Sequence, residues 1–174
     1  MRARDNPFAV DRLHALRFRG ASPSVVLSEV RARGRGAVVG PEGSGKTTLL
    51  LEIAALVDDP TWIQLRRDAR GLTEAHRAML EAARDVVFVD GADLLPLLDR
   101  RWLARRTRER PVLGTLHAPG WLPTLARLST SPALLDELVR ELTGESLAAL
   151  DRDALYHRHG GNLRAALFDL YDRA

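Results

Sequence analysis

The segment that constrains this chain most is the run from Gly40 to Thr47, which reads GPEGSGKT. It matches GxxxxGK[ST], the phosphate loop or Walker A motif, whose glycines let successive backbone N–H groups approach phosphate oxygens. Lys46 is predicted to reach the β- and γ-phosphates, and the Thr47 hydroxyl to bind Mg²⁺. The alternative is a glycine-rich turn that carries a lysine by chance, and the specificity of the motif argues against it. The residues predicted to contact the nucleotide are Gly40, Pro41, Glu42, Gly43, Ser44, Gly45, Lys46, Thr47 and Thr48.

Lys46 is also the only lysine among 174 residues, since 25 of the 26 Lys and Arg residues are arginine. The phosphate loop needs a compact ammonium at this position, whereas a guanidinium is planar and rigid. The excess of arginine is typical of a GC-rich coding background. A lysine found against that background indicates a position where arginine is not an acceptable substitute.

The composition limits the classes of protein to which this chain can belong. With 45% hydrophobic and 28% charged residues, 174 residues support one domain, or one domain with a small appendage. The chain has no cysteine, which excludes disulfides and thiolate metal sites. No apolar run approaches the roughly 20 residues that span a bilayer, and the N-terminus lacks the apolar core of a secretory signal. We therefore expect a cytoplasmic protein with no membrane partner.

Short apolar runs alternate with amphipathic segments through the first three quarters of the chain. The alternation predicts strands at 37–39, 61–65, 86–89, 111–116 and 122–128. It predicts helices at 22–33, 47–57 and 73–84, and an arginine-rich helix within 92–110. The phosphate loop thus lies between a strand and a helix, which is the context that the motif requires. The predicted fold class is α/β, with a parallel sheet of about five strands covered on both faces.

The pattern becomes purely helical after the fifth predicted strand. Ser131 and Pro132 are predicted to begin a helix that Gly144 ends, and two more helices are predicted over 145–159 and 162–172. We interpret these helices as a small C-terminal lid. The expected division is an N-terminal segment at 1–20, a phosphate-loop core at 21–130 and the lid at 131–174.

The acidic partner of the phosphate loop is predicted at the end of the third strand. Four apolar residues, VVFV, lead into Asp90, and a carboxylate in that position is costly unless a cation or a donor meets it. Asp90 is therefore the predicted second Mg²⁺ ligand, and a strand-end aspartate that starts a turn is the alternative. Gly91 follows, so Asp93 is the nearest carboxylate for polarising an attacking water. The alternative for Asp93 is a helix N-cap.

Three further polar residues are candidates for contact with the terminal phosphate. Thr115 and His117 lie where the fourth strand ends, and we favour Thr115 because it is closer to the strand end. Either residue could instead be a hydrogen-bonded loop residue. Arg164 falls in the first turn of the last helix, where the helix dipole disfavours a cation. An anionic ligand would explain that placement, and a solvated arginine is the alternative.

Together these motifs resemble the P-loop NTPases of the AAA+ and STAND kind, within the ASCE group. DGAD, from Asp90 to Asp93, is similar to their extended Walker B motif, and GNLRAAL, from residue 161, is similar to the sensor-2 segment of AAA+ lids. The resemblance implies that Arg164 contacts the γ-phosphate, that Thr115 is sensor 1, and that residues 6–10 lie near the adenine. It also implies ATP as the nucleotide, and no guanine-reading NKxD motif is present. Gly91 departs from the family, which often has a glutamate there.

The arginines between residues 100 and 110 are the candidates for contact with a partner. Arg101, Arg105 and Arg108 have the spacing of one helical face. They could contact nucleic-acid phosphates, act on a neighbouring subunit's nucleotide as arginine fingers, or face only solvent. Arg127 is a second finger candidate, and Trp102 is predicted to anchor the core.

Three functions compete on these grounds. The first is a Mg²⁺-dependent ATPase whose nucleotide state controls the lid or a partner, with Lys46, Asp93, Thr115 and Arg164 as its catalytic residues. The second is a switch or adaptor that binds ATP and hydrolyses it slowly or not at all, which Gly91 favours. A small-molecule kinase is the third, and it is disfavoured because no acceptor-binding segment remains. The expected partners are ATP and ADP, with a homo-oligomer or another protein; nothing in the sequence supports nucleic acid specifically.

Overall fold

The computed structural model describes residues 6–8, 16, 18, 20–68 and 71–173. Its five strands are β1 (Arg35–Val39), β2 (Thr61–Gln64), β3 (Val87–Asp90), β4 (Val112–Leu116) and β5 (Thr124–Arg127). Its seven described α-helices are α1 (Pro23–Arg33), α2 (Lys46–Ala54), α3 (Glu74–Ala82), α4 (Leu97–Arg106), α5 (Pro132–Thr143), α6 (Ala149–Arg158) and α7 (Leu163–Arg173). A single 3₁₀ turn, Ala92–Leu94, precedes α4. The predicted α/β fold is confirmed.

The chain divides into two compact units. The sheet unit comprises the described residues of Arg19–Gly40 and Lys46–Leu128. The helical unit comprises Pro41–Gly45 and the described residues of Met1–Phe18 and Ser129–Ala174. Five residues of the phosphate loop therefore group with the C-terminal helices, and the predicted division at 1–20, 21–130 and 131–174 stays a prediction.

The sheet is parallel and has the order β2-β3-β4-β1-β5. In β3, Val87, Phe88 and Val89 are all at most 1% exposed. Successive residues of a strand point to opposite faces, so burial of all three shows that both faces of the sheet are covered. One face carries an apolar cluster that includes Leu80 of α3 and Leu103 of α4. Trp102 packs against the same cluster, as predicted.

The helical unit has a core of its own. Leu135, Val139, Leu155, Leu163 and Leu167 are buried together there, and all three of its helices contribute. Ser131 caps α5 by accepting a hydrogen bond from the backbone N–H of Leu134 (3.1 Å), as its sequence position predicted. Gly144, with φ of +80°, ends the same helix in the left-handed conformation that favours glycine.

The arginine-rich helix is shorter than the sequence predicted. It ends at Arg106, because the backbone leaves the helical conformation at Thr107, the C-cap, where φ is −105° and ψ is 28°. Arg108 lies beyond this end, so the predicted shared face of Arg101, Arg105 and Arg108 is wrong for Arg108. Among the described helices, none is long and apolar enough to cross a membrane.

Candidate functional site

Three strand ends bring the predicted site residues of the sheet unit together. Strand β4 lies between β1, which leads into the phosphate loop, and β3, which ends in Asp90. Val89 pairs with Gly114, and this register places Asp90 beside Thr115. Because the strands are parallel, their carboxyl ends lie at one edge of the sheet, which is where open α/β sheets bind ligands.

A chain of hydrogen bonds joins Thr47, Asp90 and Thr115. The Thr47 hydroxyl donates to one carboxylate oxygen of Asp90 (Oγ1 to Oδ2, 3.0 Å), and the Thr115 hydroxyl donates to the other (Oγ1 to Oδ1, 2.7 Å). The Thr115 hydroxyl also accepts from the backbone N–H of Gly91 (2.7 Å). Thr115 is only 2% exposed. These contacts make Thr115 a positioning residue for Asp90, whereas its predicted contact with the γ-phosphate stays a prediction.

The oxygen atoms at this point suit Mg²⁺. The ion prefers hard oxygen ligands, and it is usually held by one or two protein groups together with phosphate oxygens and water. Thr47 and Asp90 offer a hydroxyl and a carboxylate side by side. No group of three or more His, Cys, Asp or Glu side chains that could hold a metal occurs among the described residues, so they contain no all-protein cage. The donor set fits a magnesium ion that shares its coordination with a nucleotide.

Lys46 begins helix α2 and is held close to the loop. Its side chain is 8% exposed, and its ammonium donates to the carbonyl of Gly40 (Nζ to O, 2.7 Å). The backbone N–H of Gly40 in turn donates to the carbonyl of Leu116 at the end of β4 (3.1 Å). An ammonium is costly to bury unless polar groups meet it, and here the base of the loop supplies a carbonyl.

Within the helical unit, the loop residues form a tight turn. Gly43 and Gly45 have φ of +74° and +86°, a region that side chains disfavour. The Ser44 hydroxyl donates to the carbonyl of Pro41 (2.8 Å) and closes the turn. A Cβ atom on Gly43 would collide with Oδ1 of Asn162. Both glycines are therefore required by backbone geometry.

The GNLR segment begins helix α7 as the sequence predicted. Asn162 caps the helix, because its Oδ1 accepts from the backbone N–H of Ala165 (3.0 Å). Arg164 is exposed, with its guanidinium carbon 5.7 Å from the ring centre of Phe168. No described residue forms an ion pair with Arg164, and its predicted role as a nucleotide sensor stays a prediction.

The residues predicted near the adenine are described only in part. The Asn6 side chain donates to the carbonyl of Tyr171 (2.9 Å) and accepts from the backbone N–H of Phe8 (2.9 Å), and Phe8 is buried in the core of the helical unit. Ala9 and Val10 lie outside the described residues. The predicted contact with adenine stays a prediction.

Asp93 is not a helix N-cap, which was the alternative prediction for this residue. It lies inside the 3₁₀ turn, and its carboxylate bonds the ring of His117 (Oδ2 to Nδ1, 2.6 Å). The side chains of Asp93 and His117 are 30% and 47% exposed. The other oxygen of Asp93, Oδ1, is buried and has no hydrogen-bond partner among the described residues. The sequence does not reveal the pairing of Asp93 with His117, because the two residues lie 24 positions apart in the chain.

Gly91 adopts a backbone conformation that a glutamate would strain. Its φ is +81°, and a Cβ atom would lie 3.0 Å from the carbonyl oxygen of Leu65. Its N–H is also engaged by Thr115. The positive φ and the nearby carbonyl oxygen therefore favour glycine over glutamate at position 91.

The remaining arginine candidates have different surroundings. The guanidinium groups of Arg77 and Arg106 lie 4.7 Å and 5.7 Å from the ring centre of Trp102, so Arg106 packs against an aromatic side chain. Arg101 and Arg105 are exposed on α4. Arg127 ends β5 and is exposed. A role of Arg101, Arg105 or Arg127 as a finger stays a prediction.

No protein-family model matches this chain, and no curated protein sequence matches it. Solved structures, in contrast, do match this chain. RuvB from Thermotoga maritima, in a structure titled as the Holliday junction branch migration motor, is 18% identical with a TM-score of 0.59 over 85% of this chain. A substituted variant of the same protein gives a TM-score of 0.60, also at 18% identity over 85% of this chain. The chain spans 58% of the length of these RuvB structures. At this identity the likeness concerns the fold, and the chain has the fold of the AAA+ P-loop ATPases.

Proposed function

We propose that this protein binds ATP with Mg²⁺ through its phosphate loop and hydrolyses it, and that the bound nucleotide controls its C-terminal helices or a partner protein. The observation that carries the proposal is the hydrogen-bonded chain of Thr47, Asp90 and Thr115. These bonds hold the carboxylate of Asp90 beside the hydroxyl of Thr47, the residue after the phosphate-loop lysine. A structural turn has no need of this arrangement, whereas a magnesium nucleotide does.

Different residues of this chain have different roles in the proposed phosphoryl transfer. Lys46 places a positive charge at the loop, where charge accumulates on phosphate oxygens in the transition state. Thr115 fixes the orientation of Asp90 through a bond to one oxygen and leaves the other beside Thr47. When bound, Mg²⁺ would be held by Thr47 and Asp90 and would neutralise charge on the β- and γ-phosphates.

ATP is proposed over GTP because of the AAA+ resemblance and the lack of an NKxD motif. We propose Arg164 as the residue that responds to the γ-phosphate, on the ground that its charge opposes the helix dipole. We also propose cytoplasmic residence and assembly with further copies or another protein. Arg101 and Arg105 remain available for such a partner, whereas the loss of Arg108 from their face weakens the case for nucleic acid.

A second candidate function is a switch that binds ATP without useful hydrolysis. The conformation of Gly91 favours it, because the residue after Asp90 cannot present a carboxylate to water. Under this alternative the nucleotide sets an interaction surface, and phosphate release stays at background.

The test combines titration calorimetry with a phosphate-release assay. We expect ATP binding to the intact protein to weaken at least about tenfold when Mg²⁺ is removed, as expected for a loop whose charge balance includes the ion. Asp90→Asn should abolish this dependence on Mg²⁺, and Asp59→Asn, at an exposed aspartate outside the site, serves as the matched control. Binding with turnover supports the ATPase, and binding without turnover supports the switch. Equal ATP binding by the intact protein and Asp90→Asn, with or without Mg²⁺, would refute the proposed metal site.

A further inference from the structure

Hydrolysis of ATP requires a group that orients a water molecule and accepts its proton. Gly91 cannot supply one. Lys46 and Thr115 donate hydrogen bonds to Gly40 and Asp90 and are engaged there. At the same edge of the sheet, the described residues offer one more pair of titratable side chains, Asp93 and His117.

The contact between this pair fixes the tautomer of the histidine. An ionised carboxylate accepts hydrogen bonds and donates none, so the proton of their 2.6 Å bond lies on Nδ1 of His117. In the neutral form of this ring, the other nitrogen, Nε2, carries the lone pair that can accept a proton. No described residue bonds Nε2, and the half-exposed ring is accessible from solvent.

The second carboxylate oxygen of Asp93 indicates that a hydrogen-bond donor binds beside it. Oδ1 is buried, and no described residue donates a hydrogen bond to it. Buried carboxylate oxygens are costly without a donor, and water is the usual donor where the protein provides none. A purely structural contact between Asp93 and His117 would account for the hydrogen bond at Oδ2. It would not account for a buried Oδ1 without a donor among the described residues.

We propose that His117, oriented by Asp93, is the general base for ATP hydrolysis in this protein; the inference rests on the ATPase function proposed above. The water oxygen forms a bond to the γ-phosphorus, and the bond from the γ-phosphorus to the bridging oxygen breaks, with its electron pair leaving on ADP. The water proton passes to Nε2 of His117. Asp93 stabilises the resulting imidazolium, which returns the proton to solvent.

Two substitutions separate this role from a structural one. His117→Ala removes the ring, whereas His117→Asn keeps an N–H where Nδ1 donates to Asp93 but has no base. A general base contributes roughly 10²–10⁴ in rate, so we expect both variants to lower kcat about 100-fold or more. Affinity for ATP should change less than about threefold, because the proposed interaction acts in the transition state. Added imidazole should restore the activity of His117→Ala at least about tenfold, since the missing base is then supplied from solution.

Three results with the His117 variants would overturn the assignment to His117. They are a kcat of His117→Ala within about threefold of the intact protein, full activity in His117→Asn, and no restoration by imidazole. ATP binding by the intact protein without turnover above that of Lys46→Ala would also overturn it, and nucleotide binding would stand. Failure of the intact protein to bind ATP would instead refute the proposed function itself.

Discussion

The hydroxyl of Thr115 gives the sharpest test of how the metal-binding carboxylate is held. Thr115→Val replaces the hydroxyl by a methyl of similar size at a residue that is 2% exposed in a buried strand. The change removes the bond to Asp90 and leaves the N–H of Gly91 without its acceptor. Valine suits a strand, so the backbone of β4 should persist.

The magnitude follows from the two lost bonds. A hydrogen bond to a charged group contributes about 1.5–3 kcal/mol, and one between neutral groups about 0.5–1.5 kcal/mol. Asp90 and Gly91 are half-buried, so water replaces part of what is lost. We therefore expect Thr115→Val to lower the free energy of unfolding by about 2–3 kcal/mol. Thr115→Ser keeps the hydroxyl and loses one methyl, which should cost about 1 kcal/mol.

Urea unfolding of the nucleotide-free protein measures both values, provided that the two variants share the m-value of the intact protein. The Mg²⁺ dependence of ATP binding should weaken in Thr115→Val and persist in Thr115→Ser. A loss below about 0.5 kcal/mol in Thr115→Val would refute the reasoning, since that lies within ordinary surface effects. Equal losses in the two variants would refute it as well, because removal of the hydroxyl would then cost no more than removal of a methyl group.

The remaining predictions concern backbone strain and acid stability. Gly91→Ala and Gly144→Ala should each lose about 1 kcal/mol or more from positive φ. Gly91→Ala should lose more in urea unfolding, because only its Cβ meets a neighbour, and equal losses would contradict the contact with Leu65. A hydrogen bond from His159 is the first of the causes that lower the pKa of Asp169 to about 2. Asp169→Asn should therefore melt below the intact protein at pH 7. Because the folded pKa lies below the unfolded one, that difference should shrink as the pH falls from about 4 through 2; a gap at pH 2 as large as the gap at pH 7 would contradict it.

The parts of the site that sequence could predict depend on local chemistry. The phosphate loop, the caps at Ser131 and Asn162, and the left-handed Gly144 each follow from residues a few positions apart. The strand–loop–helix order was equally visible, because apolar runs and glycines mark it. Asp90 was predictable as a carboxylate that follows a buried strand.

The parts that sequence could not predict depend on register between distant strands. Asp90 meets Thr115 because β3 lies beside β4 with Val89 opposite Gly114, and no local pattern records that pairing. The bond between Asp93 and His117 has the same origin. The early end of α4 was missed for another reason. Arginine-rich sequence has high helix propensity, whereas the backbone of this chain leaves the helical conformation at Thr107 (φ −105°, ψ 28°).

Lys46 gives the most direct test of nucleotide binding. Lys46→Arg keeps the positive charge but replaces a compact ammonium by a planar guanidinium. The side chain is 8% exposed with its nitrogen 2.7 Å from the Gly40 carbonyl, so the bulkier group has little room.

The deciding measurement is the affinity of Mg²⁺·ATP for the intact protein and for Lys46→Arg by titration calorimetry. Unchanged urea midpoints would show that both are folded. We predict one ATP per intact chain and a dissociation constant at least about 30-fold higher in Lys46→Arg, equivalent to about 2 kcal/mol. Equal affinities, or no binding of ATP by the intact protein, would contradict the central claim that this loop is a nucleotide-binding site.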